Sequence, residues 1–210
     1  MIRLVLVAVV AYLVGSIPFG FLVGRVRGVD LRTVGSGNIG STNIYRALGL
    51  RVALMVFALD AGKGLVGARL VPLLGAGALS PVYVRFVGAL AVILGSVASV
   101  FMRFRGGKGV ATGAGAFLGV EPLATVIAIA LWAALVAISK IVSVGSLAAA
   151  AALPFLVAGL SAAGASHNPV FYLALVVAAL VFVSHRSNIA RLLRGEEKRV
   201  GRQRDAEEQK

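Results

Sequence analysis

What most restricts this chain is a series of apolar stretches of bilayer-crossing length, separated by short basic turns. A helix needs about 20 mainly apolar residues to traverse the hydrocarbon. Residues 4–24 satisfy this outright, 52–74 and 86–102 are further candidates, 141–163 is a clean span, and 169–184 is short but wholly uncharged. Between 110 and 139 lies one ambiguous block, broken by Glu121 and Pro122. With 59% of the chain hydrophobic and 14% charged, no globular core could hide this surface, because soluble domains sit nearer about half apolar and one quarter charged. Lipid is the expected solvent. The first stretch is expected to be a membrane span and not a cleaved leader, since it runs apolar past Ala11 to Gly24 without a convincing cleavage site.

Charge fixes an orientation. On a soluble protein 21 Lys+Arg against 8 Asp+Glu, net +13, would suggest nucleic acid; here the bases lie between greasy segments, which argues against that partner and for anionic headgroups. Arg25, Arg27, Arg32, Arg46 and Arg51 crowd one loop, Arg103, Arg105 and Lys108 another, and Arg186 onward a third. Segments 75–84 and 164–168 have no Lys or Arg. The basic stretches are expected inside and the bare ones, with His167, outside. Parity then favours seven spans with the N-terminus outside and the C-terminus cytoplasmic, five being the fallback; in the seven-span reading 110–120 is a half-helix or strongly tilted. The expected fold is all-α and polytopic, with one membrane-embedded domain over 1–195 and a charged cytoplasmic tail over 196–210. The small-residue pairs Gly20/Gly24 and Gly115/Gly119 read as helix-packing contacts.

Two glycine-rich turns stand out. The first runs Gly35-Ser36-Gly37-Asn38-Ile39-Gly40-Ser41-Thr42-Asn43, with Arg46 beyond. Its opening letters mimic a dinucleotide fingerprint, but no strand precedes it, and no Lys follows Gly40 as a Walker loop requires. Glycines nevertheless let backbone N–H groups converge on an anion, while Ser, Thr and Asn add donors. The second is Arg105-Gly106-Gly107-Lys108-Gly109-Val110-Ala111-Thr112, three glycines around one lysine at the start of an apolar segment. A mere positive-inside anchor would not need those glycines. Asp60 and Lys63 lie three apart inside an apolar stretch, facing the protein interior and either neutralising each other or serving function. His185 and Asn188 share a helical face after the last span, and Ser143 stands just inside a neighbouring one. In the seven-span reading these groups gather at one membrane face. Cysteine is absent, no Gly-x-Ser-x-Gly elbow occurs, and Ala190 stands where a His-x4-Asp box would need Asp. No acidic pair suggests a metal, and no cofactor is expected.

These motifs, in this order, resemble the bacterial acyl-phosphate:glycerol-3-phosphate acyltransferases, the PlsY family. The matching pieces are Gly15-Ser16-Ile17-Pro18, Ser36 to Asn43 with Arg46, Asp60-x-x-Lys63-Gly64, Gly106 to Thr112, Ser143, and His185-x-x-Asn188-Ile189-x-Arg191-Leu192 followed by Gly195 and Glu197. One departure is plain: where the family usually reads Gly-His-x-x-Pro, this chain has Gly95-Ser96-Val97-Ala98-Ser99. The resemblance implies a seven-span enzyme of the bacterial inner membrane that faces the cytoplasm. It would move a fatty acyl group from acyl-phosphate to the sn-1 hydroxyl of glycerol 3-phosphate, giving lysophosphatidic acid for phospholipid synthesis. The soluble phosphate acyltransferase that makes acyl-phosphate is a further implied partner.

Acyl-phosphate is an activated mixed anhydride, so the enzyme needs no nucleophile of its own. The expected division of labour has Ser36, Gly37, Asn38, Gly40, Ser41, Thr42 and Asn43 cradling the acyl-phosphate head. Arg46, Lys108, Ser143, His185 and Asn188 hold glycerol 3-phosphate. Ser36, Lys108, His185 and Asn188 are the catalytic candidates, supported by Asp60, Lys63, Gly106, Gly107, Gly109, Thr112 and Glu197. His185 is either the base or, slightly preferred, a hydrogen-bond donor while a substrate phosphate takes the proton. An organic-phosphate transporter is the rival from another class, but neither an internal repeat nor a centred polar cluster is found.

Overall fold

Pro18 sets the first landmark in the computed structural model, which describes residues 1–77, 79–160 and 169–200. Lacking an N–H, Pro18 cannot continue helix α1 (Ile2–Ser16); the chain breaks at Ile17 and resumes as α2 (Phe19–Val26). After the first loop come α3 (Ser41–Leu48) and α4 (Leu50–Leu65), the latter continued by a π-turn (Val66–Leu70) and a 3-10 turn (Val71–Gly75). Next are α5 (Pro81–Val97), a 3-10 turn (Val100–Met102), α6 (Val110–Val120) and α7 (Pro122–Ser139). The chain ends with α8 (Val142–Leu160), α9 (Pro169–Ser184) and α10 (Arg186–Leu193). Among the described residues every regular element is helical. Segment 164–168 with His167, and residues 201–210, lie outside the described residues.

Among the described residues, four helical stretches are long and apolar enough to cross a bilayer: Ile2–Val26, Pro81–Met102, Pro122–Ser139 and Val142–Leu160. A fifth is counted if α9 and α10, bent by 61°, are taken as one. The expected span at 52–74 is helical throughout, though its last third is irregular and it carries Asp60, Lys63 and Arg69. At 11 residues α6 is too short for a simple crossing, as its sequence implied. The protein is an all-helical, multi-pass membrane protein.

The chain divides into two compact units, Met1–Pro122 and Leu123–Lys210. In lipid there is no hydrophobic drive between helices, so close backbone approach at small residues must hold them. In the first unit a methyl group on Gly15 would lie 2.0 Å from the Val92 carbonyl oxygen, and one on Gly95 2.2 Å from that of Tyr12, which locks α1 to α5. Gly64 against Thr112 (2.1 Å) and Gly115 against Ala61 (1.8 Å) do the same for α4 and α6. Gly115 thus packs helices as expected, and Gly119 meets Leu65. Gly20 and Gly24 differ: they seat the carbonyls of Ile39 and Val29, so this pair packs the first loop and not a second membrane helix. Beneath that loop lies a small core of Leu31, Ile44, Val52, Ala53 and Val56.

In the second unit α8 lies against α7 and α9, with a methyl on Gly145 falling 2.8 Å from the Trp132 carbonyl oxygen. Lys140 makes the α7–α8 turn at φ +60°, a strained value for a residue with a Cβ. Beyond α10 the chain doubles back, and Val200 N–H donates to the Lys140 carbonyl at 2.7 Å.

Candidate functional site

The first loop is organised from within by Asn43. Its side chain is buried; Nδ2 donates to the carbonyls of Leu31 (3.1 Å) and Val34 (2.9 Å), and Oδ1 accepts from Ser36 N–H (2.9 Å). Asn38 Oδ1 accepts from Gly40 N–H at 2.8 Å, closing the turn that starts α3. Gly35 and Gly37 take left-handed φ of +65° and +68°. The Asn43 side chain and the Asn38 Oδ1 are therefore committed to shaping the loop. The surface they create offers Ser36 and Gly37, which are exposed, with Ser41 and Thr42 half-buried in the first turn of α3, and Arg46 one turn further on.

The second loop is fastened to the end of α5. Gly106 N–H donates to Val97 and Gly107 N–H to Ser96, both at 3.0 Å, and Thr112 Oγ1 donates to Ser96 Oγ at 3.0 Å. Gly109 at φ +74° then starts α6, placing half-buried Lys108 at that helix's N-terminal end, where the helix dipole also favours an anion. A methyl on Gly106 would fall 2.2 Å from the Ser96 carbonyl oxygen, whereas one on Gly107 would meet nothing within 4 Å. Gly106→Ala is therefore expected to destabilise by about 1–3 kcal/mol through forced displacement of the loop. Gly107→Ala should melt with the parent; thermal melting in detergent separates the two.

The departure at 95–99 is legible here. Ser99 has φ −65°, the value a proline would impose, so the turn after α5 keeps its direction without proline. Ser96 takes a hydroxyl contact with Thr112 in place of an imidazole. At the α1–α2 break Lys63 Nζ sits 2.7 Å from Asp60 and donates to the Ile17 carbonyl at 2.8 Å, over the Phe19 ring. Neutralisation and a tether at the break are thus combined in one side chain.

The second unit holds a separate cluster around Glu197. Its Oε1 accepts from Ser143 Oγ (2.9 Å) and Asn188 Nδ2 (2.5 Å), and Oε2 from Arg191 Nε (2.7 Å). Burial pushes the Glu197 carboxyl up, but the hydrogen bonds from Asn188, Arg191 and Ser143 outweigh it and hold the group below its ordinary value. A depressed carboxyl adds stability that is present above its unfolded value, near pH ~4.3, and is lost as pH falls through the folded one. Acid melting below about pH 4.3 should therefore be shallower for Glu197→Gln than for the parent. Equal slopes would remove Glu197 as the clamp.

His185, buried at the start of α10, has Nδ1 2.8 Å from the Val181 carbonyl oxygen. A carbonyl only accepts, so Nδ1 carries the proton and a neutral ring has its lone pair on Nε2. His185, Ser143, Asn188 and Glu197 are thus assembled in one unit; Ser36 to Arg46, Asp60, Lys63 and Gly106 to Thr112 are in the other. Sequence reasoning did not single out Arg191 as a clamp, although its place three residues after Asn188 was the available signal. Neither the Val181 carbonyl nor the Ser99 hydroxyl gave any.

Fold and polar turns define a multi-pass helical membrane protein with two glycine-rich loops. Residues 5–195 match the glycerol-3-phosphate acyltransferase family model, and the chain belongs to that family. The glycerol-3-phosphate acyltransferase of Geobacter sulfurreducens is 45% identical over 95% of this chain and 98% of its own length. That of Geotalea daltonii is 46% identical over 89% and 92%. Two solved structures of PlsY (YgiH), an integral membrane glycerol 3-phosphate acyltransferase, are also similar. Its glycerol 3-phosphate form has a TM-score of 0.85 at 37% identity, covering 94% of this chain and 96% of that one. Its lysophosphatidic acid form gives 0.81 at 34% identity, with 94% and 95% covered.

Proposed function

We propose that this chain is a membrane glycerol-3-phosphate acyltransferase that takes its acyl group from acyl-phosphate. It would cross the inner membrane seven times, N-terminus outside, and work at the cytoplasmic face, where the Arg- and Lys-rich segments lie. The observation that carries the reading is the match over nearly the full chain to a structure in its glycerol 3-phosphate form. The product is lysophosphatidic acid, an intermediate for phospholipid synthesis, and a soluble phosphate acyltransferase would supply the donor.

In the reaction the sn-1 hydroxyl oxygen bonds to the acyl carbonyl carbon and the acyl–phosphate C–O bond breaks, releasing inorganic phosphate. No enzyme nucleophile is required, which suits a chain without cysteine. Ser36, Ser41 and Thr42 offer hydroxyl donors to the acyl-phosphate head; Gly37, whose N–H donates to the Val34 carbonyl, holds with Asn38, Gly40 and Asn43 the loop that presents them. Lys108 and Arg46 supply positive charge for the glycerol 3-phosphate phosphate, Ser143 and Asn188 position the glycerol, and His185 Nε2 accepts the hydroxyl proton. The Nδ1 bond to Val181 favours this base role over donation, because only a protonated ring would donate from Nε2. Catalysis then rests on positioning and on stabilising developing oxyanion charge.

Purified protein in detergent, given palmitoyl-phosphate and glycerol 3-phosphate, should release phosphate and form lysophosphatidic acid. Acyl-CoA in place of palmitoyl-phosphate should give no product. Phosphate uptake into vesicles without acyl transfer would sink the enzyme reading. Within it, Lys108→Ala is expected to raise the KM for glycerol 3-phosphate or abolish turnover; unchanged kinetics would remove Lys108 from the site.

A further inference from the structure

The two glycine-rich loops of the first unit are fastened to a common joint. At the α1–α2 break, Ser99 Oγ donates to the Ser16 carbonyl at 2.6 Å, and Tyr12 OH donates to the Ala98 carbonyl at 2.6 Å. Ser99 is 2% exposed, so water cannot replace its hydrogen bond. The turn that holds α1 in this way is the continuation of the residues that hold the Lys108 loop, through Ser96 and Val97. On the other side of the break, Gly20 stands two residues beyond Pro18 and lies against the Ile39 carbonyl, so close that a methyl would come within 1.9 Å of it. Ile39 belongs to the first loop. An unbroken path of short contacts therefore runs from the first loop through Gly20, the break and Ser99 to the Lys108 loop.

We propose that Ser99, with Tyr12 beside it, is a positioning residue whose hydrogen bond to the α1–α2 break sets the spacing between the first loop and the Lys108 loop. A helix broken by proline has carbonyls without intrahelical partners, and such a break holds its angle only if neighbouring groups satisfy them. Ser99 satisfies the Ser16 carbonyl from α5's end and so ties the angle of α2, which carries the first loop, to the turn that carries Lys108. In the acyl-transfer reading each loop grips the phosphate of one substrate, and a shift of about 1 Å between them is enough to cost up to a hundredfold in rate.

The chain has no cysteine, so a pair introduced at Val34 and Arg105, both exposed, can be spin-labelled without background. Pulsed electron–electron distances between the labels report loop spacing whether or not the protein is an acyltransferase. Ser99→Ala is expected to broaden or shift the distance distribution, and to lower kcat about ten- to a hundredfold, while Ser99→Thr retains both parent values. Should Ser99→Ala not fold, Tyr12→Phe, which removes the neighbouring link without changing volume, should shift the distribution in the same way. A distribution in Ser99→Ala or Tyr12→Phe that superimposes on the parent's overturns the proposal. A shifted distribution with parent kcat overturns its link to the reaction. An inactive parent overturns the acyl-transfer reading alone and leaves the distance result to judge Ser99.

Discussion

Changing His185 to glutamine is expected to lower kcat by about two to four orders of magnitude, the range that a positioned general base supplies. The KM for glycerol 3-phosphate should move much less. The expectation comes from the ring's surroundings. His185 is buried, and its Nδ1–H is committed to the Val181 carbonyl, one helical turn back. The neutral imidazole then presents an acceptor at Nε2, the arrangement needed to take a proton from an attacking hydroxyl. Glutamine is of similar size and still hydrogen-bonds, but it has no site that titrates near neutrality. The pH profile gives a second readout: parent kcat should fall on the acid side as the imidazole protonates and loses its acceptor. That limb should vanish in His185→Gln. Turnover near the parent's in this variant would instead assign the proton to a substrate phosphate and leave His185 a spectator.

The membrane architecture was legible because its signals are local. A run of apolar residues either reaches bilayer length or does not, and 110–120 was recognisably short before α6 was seen to stop at Val120. The break at Pro18 follows equally from one residue's missing N–H. What did not read out are hydrogen-bond directions, which depend on where distant segments return. Asn43 looked like one more donor for a phosphate, yet it faces inward and holds Leu31, Val34 and Ser36. Ser143 and Asn188 meet through the carboxylate of Glu197, which lies 54 residues beyond Ser143. Ser99 looked like a loss relative to the family pattern; its hydroxyl bond to Ser16 shows a gain, visible only once α1 and α5 are side by side.

Replacing Lys63 with methionine should have the largest effect on stability, a loss of about 3–5 kcal/mol, as expected when one partner of a buried ion pair is removed. The Lys63 side chain is 5% exposed and that of Asp60 16%, so neither charge is served by water. Methionine keeps the volume but leaves the Asp60 carboxylate without its cation and the Ile17 carbonyl without the Nζ donor. Two contributions are thereby lost together, and a double substitution separates them. Asp60→Asn with Lys63→Met has no buried charge, so most of the lost stability should return, since apolar or neutral replacements of buried pairs are often neutral. The tether to the break does not return with it. If Lys63 only neutralises Asp60, the double variant should recover turnover along with its melting temperature. If the bond to Ile17 holds α2 and the first loop in register, stability should recover while turnover stays low. A Lys63→Met protein that melts with the parent would show that the ion pair does not carry this stability, leaving turnover to judge the tether.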